Sequence, residues 1–112
     1  MIRKPKFEML TGRDGKIYIH LKASNGEIIL SGKGYKTKSE AIHAIGSIMR
    51  YGALGKHFRR KQSVNGQHYF QLLSPSGRIL GWSETYYSRQ GLENGILSVR
   101  RSVQYGRVMD LN

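Results

Sequence analysis

The two halves of this chain match each other without a gap when one is shifted by 51 positions. The matched positions carry aromatic residues, glycines and aliphatic residues: Phe7/Phe58, Gly15/Gly66, Tyr18/Tyr69, Leu21/Leu72, Gly26/Gly77, Ile28/Ile79, Tyr35/Tyr86 and Ile45/Ile96. A period near 50 residues is typical of a supersecondary unit that cannot bury its apolar face alone. We therefore expect the two copies to pack together around one core.

The length supports a single domain with pseudo-twofold symmetry. The chain has 112 residues, and two units of about 50 residues would each be only marginally stable alone. We expect one domain over 1–112, with repeat 1 at approximately 6–55 and repeat 2 at approximately 57–111. Since this internal pair resembles a dimer, we expect a monomer. A hydrophobic content of 38% suffices for a core.

Each copy opens with a pattern that is typical of three strands. Residues 17–23 alternate between apolar and polar side chains, as a half-buried strand does. Asn25-Gly26 favours the positive φ angles of a tight hairpin, so 27–31 should return antiparallel to that strand. The first strand is expected at 6–10. In the second copy the corresponding strands are expected at 56–62, 67–74 and 78–83.

A helical period follows the strands in both copies. Apolar residues recur at Ala41, Ile45 and Ile48, and then at Leu92, Ile96, Val99 and Val103. Thr37 and Ser88 are suited to cap the two helices, and Glu40 would complete a capping box with Thr37. Because a glycine inside a helix costs about 1 kcal/mol relative to alanine, Gly46, Gly91 and Gly95 predict close packing at those points. A short strand is expected after each helix, the last at 107–111.

Short ordered motifs occur in both copies at constant spacing. They are Ala23-Ser24-Asn25-Gly26-Glu27-Ile28-Ile29-Leu30 and Tyr35 in the first copy, and Tyr69-Phe70, Gly77, Ser83-Glu84, Tyr86 and Gly95-Ile96-Leu97-Ser98-Val99 in the second. With these motifs the whole chain resembles the YegP-like family, bacterial domains of unknown function that often occur as tandem pairs. The resemblance implies an α+β fold of two tandem β3-α-β repeats. These would form one antiparallel sheet with both helices on one face and would exchange their terminal strands.

The chain is strongly basic, and the charge lies mostly where the copies differ. Lys and Arg number 19 against 7 Asp and Glu, which gives a net charge of +12. This excess points to a polyanionic partner. No acidic residue lies between Glu40 and Glu84. Several matched pairs differ in charge or polarity: Glu27/Arg78, Met49/Arg100, Leu10/Lys61, and Gly32-Lys33-Gly34/Ser83-Glu84-Thr85, with Ala44 in place of Gly95 as a further difference.

The sheet face away from the helices is the first candidate site. If the apolar side chains of 17–23 face the helices, alternation places Tyr18, His20 and Lys22 on the opposite face. The second copy would add Tyr69 and Gln71. Aromatic and basic residues on an open sheet face can stack bases and track phosphates, and Trp82 is a further stacking candidate. Alternatively, Tyr18 and Tyr69 simply cover the sheet, for instance at a partner interface.

The densest cationic run is the second candidate. On a strand, His57, Arg59 and Lys61 would lie on one face and Lys56 and Arg60 on the other, so both faces would be positive. Arginine contacts phosphate with two parallel hydrogen bonds and lysine acts as a point charge, a mixture that suits a sugar-phosphate backbone. The alternative is a charged edge strand that discourages aggregation.

A third cationic cluster is expected around the second helix and its C-terminus. It contains Arg100 and Arg101, with Arg89 and Arg107 nearby in sequence. Cations at this end of a helix are favourable on dipole grounds alone, and the same residues could extend a phosphate-binding track. A basic N-terminal arm with Arg3, Lys4 and Lys6 could order on a nucleic acid.

Catalytic and metal sites are not predicted. The acidic residues form no close pair, and the histidines have no metal-ligand spacing. No nucleotide-binding, serine-hydrolase or zinc-protease motif is present, so we expect no enzyme, metal or cofactor. The absence of cysteine fits a reducing compartment, and no signal-peptide or membrane-span pattern occurs, so we expect a cytoplasmic protein.

These observations predict a non-enzymatic nucleic-acid-binding protein. RNA is favoured over DNA, recognition would rest mainly on backbone phosphates and shape, and a small ribonucleoprotein subunit is one such role. The predicted interface comprises Lys22, Lys56, Arg59, Arg60, Lys61, Arg100 and Arg101 for phosphate, with Tyr18, Tyr69 and Trp82 for stacking. The alternative is a protein-interaction module that docks an acidic partner through its sheet face or edge.

Overall fold

Strands and helices follow the order that the repeat predicts. The computed structural model describes residues 3–112, and over these residues it contains seven strands and two α-helices. They are β1 (Lys6–Thr11), β2 (Ile17–Lys22), β3 (Ile28–Ser31), α1 (Lys38–Gly52), β4 (Phe58–Gln62), β5 (His68–Leu73), β6 (Ile79–Trp82), α2 (Arg89–Ser102) and β7 (Val108–Asp110). Short 3-10 helices at Gly55–His57 and Val103–Tyr105 follow α1 and α2.

Each hairpin turn uses one glycine in the left-handed conformation. Gly26 has φ +86°, while no other type of residue in 3–112 has a positive φ, so Asn25 does not. The Gly26 N–H donates to the Ala23 carbonyl at 2.9 Å, and the Ala23 N–H donates to the Glu27 carbonyl at 2.9 Å. The turn is therefore longer than a two-residue Asn-Gly hairpin, which needs two positive φ angles. A register shift between Leu21 and Lys22 accompanies it.

The seven strands form one sheet in the order β4-β5-β6-β3-β2-β1-β7. Helix α1 contacts β2 of its own half and β5 and β6 of the other, and α2 contacts β5 of its own half and β2 and β3 of the other. Each helix thus carries the chain across the sheet, so that β4 pairs with β5 and β7 pairs with β1. This confirms the α+β fold of two repeats: the terminal strand β7 pairs with β1 of the other repeat, while β4, the match of β1, pairs with β5 of its own repeat.

The sheet is mixed and not antiparallel throughout as the resemblance implies, because β7 runs parallel to β1 while every other pair is antiparallel. Phe7 lies opposite Val108 in this parallel pair. The chain enters β7 from a helical crossover and not from a hairpin, and a crossover is the connection that allows a parallel direction.

One core lies between the sheet and the two helices. It contains the apolar side chains predicted on both elements, among them Phe7, Ile19, Leu21, Ile45, Ile48, Phe58, Phe70, Leu72, Leu92, Ile96 and Val99. Thr37 accepts a hydrogen bond from the Glu40 N–H at 3.1 Å, and Ser88 accepts one from the Gly91 N–H at 3.0 Å, as predicted for N-caps. The predicted close packing holds at Gly95, where an added Cβ would overlap the Tyr86 hydroxyl, but it is wrong at Gly46, where no atom lies within 4 Å.

Two classes of feature are absent from residues 3–112. No helix in this range is long and apolar enough to cross a membrane. Within the same residues, no three histidine, cysteine or acidic side chains are arranged to hold a metal ion.

Candidate nucleic-acid interface

A row of side chains crosses the sheet on the face that the helices leave open. From β4 to β1 the register aligns Arg59, Gln71, Trp82, Ser31, His20 and Glu8. At the usual spacing between strands this row spans about 24 Å. The 51-residue repeat relates Trp82 to Ser31 at its centre and Arg59 to Glu8 at its ends. The backbone repeats along this row but the side chains do not, and its two ends carry opposite charges.

The β4 end of the row combines cations with aromatic rings. Arg59 and Lys61 are exposed, and neither forms an ion pair with a residue of 3–112. In the register, Lys61 lies opposite Tyr69 on β5, and Arg59 lies opposite Gln71. Trp82 follows on β6 and is 41% exposed, which is high for tryptophan. This half of the face can offer phosphate contacts and stacking surfaces side by side.

At the β1 and β2 end of the row the cations are neutralised. Lys22 Nζ lies 3.0 Å from Glu8 Oε1, and Lys6 Nζ lies 3.8 Å from Glu8 Oε2, while the Glu8 side chain is only 8% exposed. Burial holds the pKa of the neighbouring His20 below its ordinary value, although Glu8 opposes this effect. His20 is therefore neutral near pH 7. Lys22, a predicted phosphate contact, is on the expected face but is already paired.

The paired tyrosines have different surroundings. The Tyr18 ring is held between Gly12 and Gly34, where an added Cβ would meet it at 2.7 and 2.8 Å. Its hydroxyl donates to the Asp14 carboxylate at 2.6 Å, and this bond raises the pKa of Tyr18 and lowers the pKa of Asp14. Tyr69 lacks this setting, because the equivalent positions carry other residues: Ser63, Asn65 and Thr85. Tyr69 is thus the freer stacking candidate, and Tyr18 is fixed as part of the fold.

The start of β4 differs from the prediction. The strand begins at Phe58, so Lys56 and His57 lie in the preceding 3-10 helix and not on the strand. The His57 ring packs edge-on to Tyr51 of α1, with centroids 5.0 Å apart, and does not join Arg59 and Lys61 on the open face. The reason is that the chain is still completing its connection from α1 at these positions.

Arg60 lies on the helix side of the sheet, opposite Phe70 in the register. Its Nε and Nη2 donate to the two carboxylate oxygens of Glu93 on α2, at 2.5 and 2.8 Å. This pairing lowers the pKa of Glu93. Arg60 is therefore engaged within the protein, and its place in the predicted interface is not supported.

The third cationic cluster also lies on the helix side. The Arg100 guanidinium packs against Gly55, and its buried Nε has no hydrogen-bond partner in residues 3–112. Arg101 is exposed and lines a shallow cavity with Arg3 and Lys4. The sheet separates both arginines from Arg59 and Lys61, so the structure does not bring the predicted residues into one continuous track.

The fold and the open face define an α+β protein built from two intertwined β3-α-β repeats. A family model described as "Domain of unknown function (DUF1508)" matches residues 13–56 and again residues 63–110. The chain belongs to this family, and the resemblance drawn from its motifs is confirmed.

Relatives match over most of their length. The UPF0339 protein YegP of Escherichia coli (strain K12) is 34% identical over 94 residues, which cover 84% of this chain and 86% of the relative. A UPF0339 protein of Pseudomonas aeruginosa is 33% identical over 105 residues, covering 94% of this chain and 96% of the relative.

Two solution NMR structures share the fold. The structure of the protein of unknown function yegP from E. coli has a TM-score of 0.91 and 32% identity, and the match covers 99% of this chain and 96% of that one. A UPF0339 protein from Shewanella oneidensis has a TM-score of 0.90 and 29% identity, covering 96% of this chain and 92% of that one.

Proposed function

We propose that this protein binds single-stranded RNA, without catalysis, through the β4–β6 half of its open sheet face. One observation supports the proposal above others: Arg59 and Lys61 are exposed, form no ion pair with any residue of 3–112, and share their face with Tyr69 and the half-exposed Trp82. Cations beside aromatic rings are the combination that binds unstacked nucleotides. A flat sheet face suits single strands better than the grooves of duplex DNA, which admit a helix or a two-stranded ribbon.

Each residue has a distinct role in this proposal. Arg59 donates paired hydrogen bonds to a phosphate, and Lys61 adds a point charge one nucleotide step away. Trp82 and Tyr69 stack on bases, a contact that tolerates any sequence because every base has a flat face. Binding would be mainly electrostatic and would show little sequence preference.

A protein-interaction role through the edge of the sheet is less well supported. Strand β4 is an outer strand, so one of its edges is available for strand addition. However, Arg59, Arg60 and Lys61 are consecutive along it, and charged side chains on an edge strand disfavour pairing with another strand. Of these three, Arg59 and Lys61 also favour a phosphate backbone.

The test is the affinity for fluorescein-labelled single-stranded RNA, measured by anisotropy over a range of salt concentrations. We expect R59E/K61E to weaken binding at least about tenfold and to reduce the slope of log K against log salt by about 1.4, which corresponds to two phosphate contacts. The matched control is K33E/R78E, which changes the net charge by the same amount on the helix side of the sheet.

Three results would overturn the proposal. The first is that the protein does not bind RNA at low salt. The second is that R59E/K61E and K33E/R78E lose RNA affinity equally. The third is that the protein retains a protein partner after nuclease treatment and has no affinity for RNA. Single-stranded DNA and duplex RNA of the same length show whether the preference is for unpaired RNA, as the open face predicts.

A further inference from the structure

A second cationic site lies on the helix side of the sheet. A groove of about 850 Å³ separates α1 from the β5–β6 hairpin, which belongs to the other repeat. Helix α1 contributes His43 and Ser47, and the hairpin contributes Ser74, Ser76 and Arg78. The volume is within the usual range for small-molecule sites, about 300–1,000 Å³.

The charge of this groove is the reverse of that at its symmetry-related position. Lys33 and Arg78 line the groove beside α1. The 51-residue repeat places Glu84 and Glu27 at the equivalent positions beside α2. One fold thus presents a cationic cleft at one position and acidic residues at the other. Because the backbone is the same in both copies, stability alone does not require this reversal.

A second difference between the copies affects the space inside the groove. Beside α2, the Tyr86 hydroxyl occupies the position where a Cβ of Gly95 would be. The first copy has Ala44 in place of Gly95, and its methyl group excludes Tyr35 from that position. Tyr35 instead lines the groove together with Ala44.

The cationic side chains of the groove are available for a ligand, whereas the Ser74 and Ser76 hydroxyls bond each other at 2.9 Å and Ser74 Oγ also accepts from the Arg78 backbone N–H at 3.1 Å. Lys33 and Arg78 form no ion pair within residues 3–112. Among residues 3–112, the one carboxylate that lines the groove is that of Glu40, and it accepts a hydrogen bond from the Lys36 backbone N–H at 3.3 Å, at the start of α1. Burial raises the pKa of Tyr35, so its phenol remains protonated and can donate a hydrogen bond.

We propose that this groove binds a small phosphate-bearing ligand of mononucleotide size. Arg78 and Lys33 would contact the phosphate, and the Ser74–Ser76 hydroxyl pair would add one further donor, since one proton of the pair is used in their mutual bond. The organic part of the ligand would lie on the Tyr35 ring and on the apolar floor formed by Ala44, Ile79 and Leu80. The cations of this site are distinct from those of the proposed RNA interface, because neither Arg59 nor Lys61 lines the groove.

The test uses AMP as the probe, followed by two-dimensional NMR of the labelled protein. We expect saturable shifts of the backbone signals of Ser74, Ser76 and Arg78, and no saturation with adenosine, which lacks the phosphate. K33E/R78E should weaken AMP binding at least about tenfold, because both phosphate contacts become repulsive. This variant should fold, since glutamates occupy both equivalent positions in the other copy.

R59E/K61E is the matched control, and it should bind AMP as tightly as the unaltered protein does. The proposal is overturned if AMP produces no saturable NMR shift up to about 10 mM, a concentration well above the dissociation constants typical of small-ligand sites. It is also overturned if the shifts map to the open sheet face, or if the two double variants lose AMP binding equally. The proposal of a small free ligand would likewise be excluded if the NMR signals of groove residues shift only with a 5′-phosphorylated oligonucleotide and not with AMP.

Discussion

Gly46 and Gly95 allow the same substitution to be compared in two helices. Both lie inside an amphipathic helix of the same fold, Gly46 in α1 and Gly95 in α2. Gly46 is exposed, and an added Cβ would meet no atom within 4 Å. At Gly95 the Cβ would overlap the hydroxyl of Tyr86, whose ring stacks on Phe70 with centroids 6.4 Å apart.

The expected magnitudes follow from these surroundings. Gly46→Ala should stabilise the protein by about 1 kcal/mol, the difference in helix propensity between glycine and alanine. For a domain of this length that is about 4 °C in Tm. Gly95→Ala gains the same propensity but forces the Tyr86 ring to move against Phe70, and overpacking of this kind costs about 1–3 kcal/mol. Its net effect should lie between zero and a loss of about 2 kcal/mol.

Urea denaturation followed by circular dichroism measures both variants under the same conditions. The double variant Gly95→Ala/Tyr86→Phe is the control, since removal of the hydroxyl relieves the shortest contact, leaves the ring carbon Cζ at 2.7 Å, and should recover part of the loss. The reasoning is refuted if Gly46→Ala destabilises the protein, or if Gly95→Ala stabilises it as much as Gly46→Ala does.

Three further predictions concern charged and polar side chains. The Arg60 and Glu93 side chains are 47% and 37% exposed, so their ion pair should contribute only about 0.5 kcal/mol in a double-mutant cycle. Because Arg60 lowers the pKa of Glu93, this contribution should be present at neutral pH and lost as the pH falls through the folded-state pKa; equal coupling at pH 7 and at about pH 2 would contradict the pairing. Tyr18→Phe should raise the pKa of Asp14 in an NMR titration, and an unchanged value would show that the hydroxyl bond does not form in solution. Because the proposed RNA site is the β4–β6 half of the open face, Glu8→Gln, which frees Lys22 at the other end, should leave the salt dependence of RNA binding unchanged, whereas a slope steeper by about 0.7 would show that RNA also contacts the β1–β2 end.

Local patterns predicted most of the fold. The 51-residue shift, the alternation in β2 and the helical spacing of Ile45, Ile48 and Ile96 each reflect which side of an element is buried, and this is a property of neighbouring residues. The direction of β7 was not predictable in the same way. It depends on the position and direction of the chain where it leaves α2, and no local sequence pattern determines these.

The candidate sites were predictable only in part. Alternation alone placed Tyr18, Tyr69 and Lys61 on the open face correctly. It could not show that Arg60 pairs with Glu93, because these residues are 33 positions apart in sequence and meet only after α2 has packed on the sheet. The groove could not be predicted from the sequence for the same reason, since its two walls come from different repeats. The reversed charge at the matched positions Lys33/Glu84 and Arg78/Glu27 is nevertheless visible in the sequence.

Trp82 provides the most direct test of the proposed RNA interface. It is the single tryptophan of the chain and lies at the centre of the open face, so its emission reports contact with this surface alone. Titration with a single-stranded oligouridylate should quench Trp82 fluorescence in a saturable manner, with the same midpoint as the anisotropy of labelled RNA, and R59E/K61E should shift both midpoints together. RNA binding detected by anisotropy with unchanged Trp82 emission would contradict the account, because the RNA would then bind elsewhere on the protein.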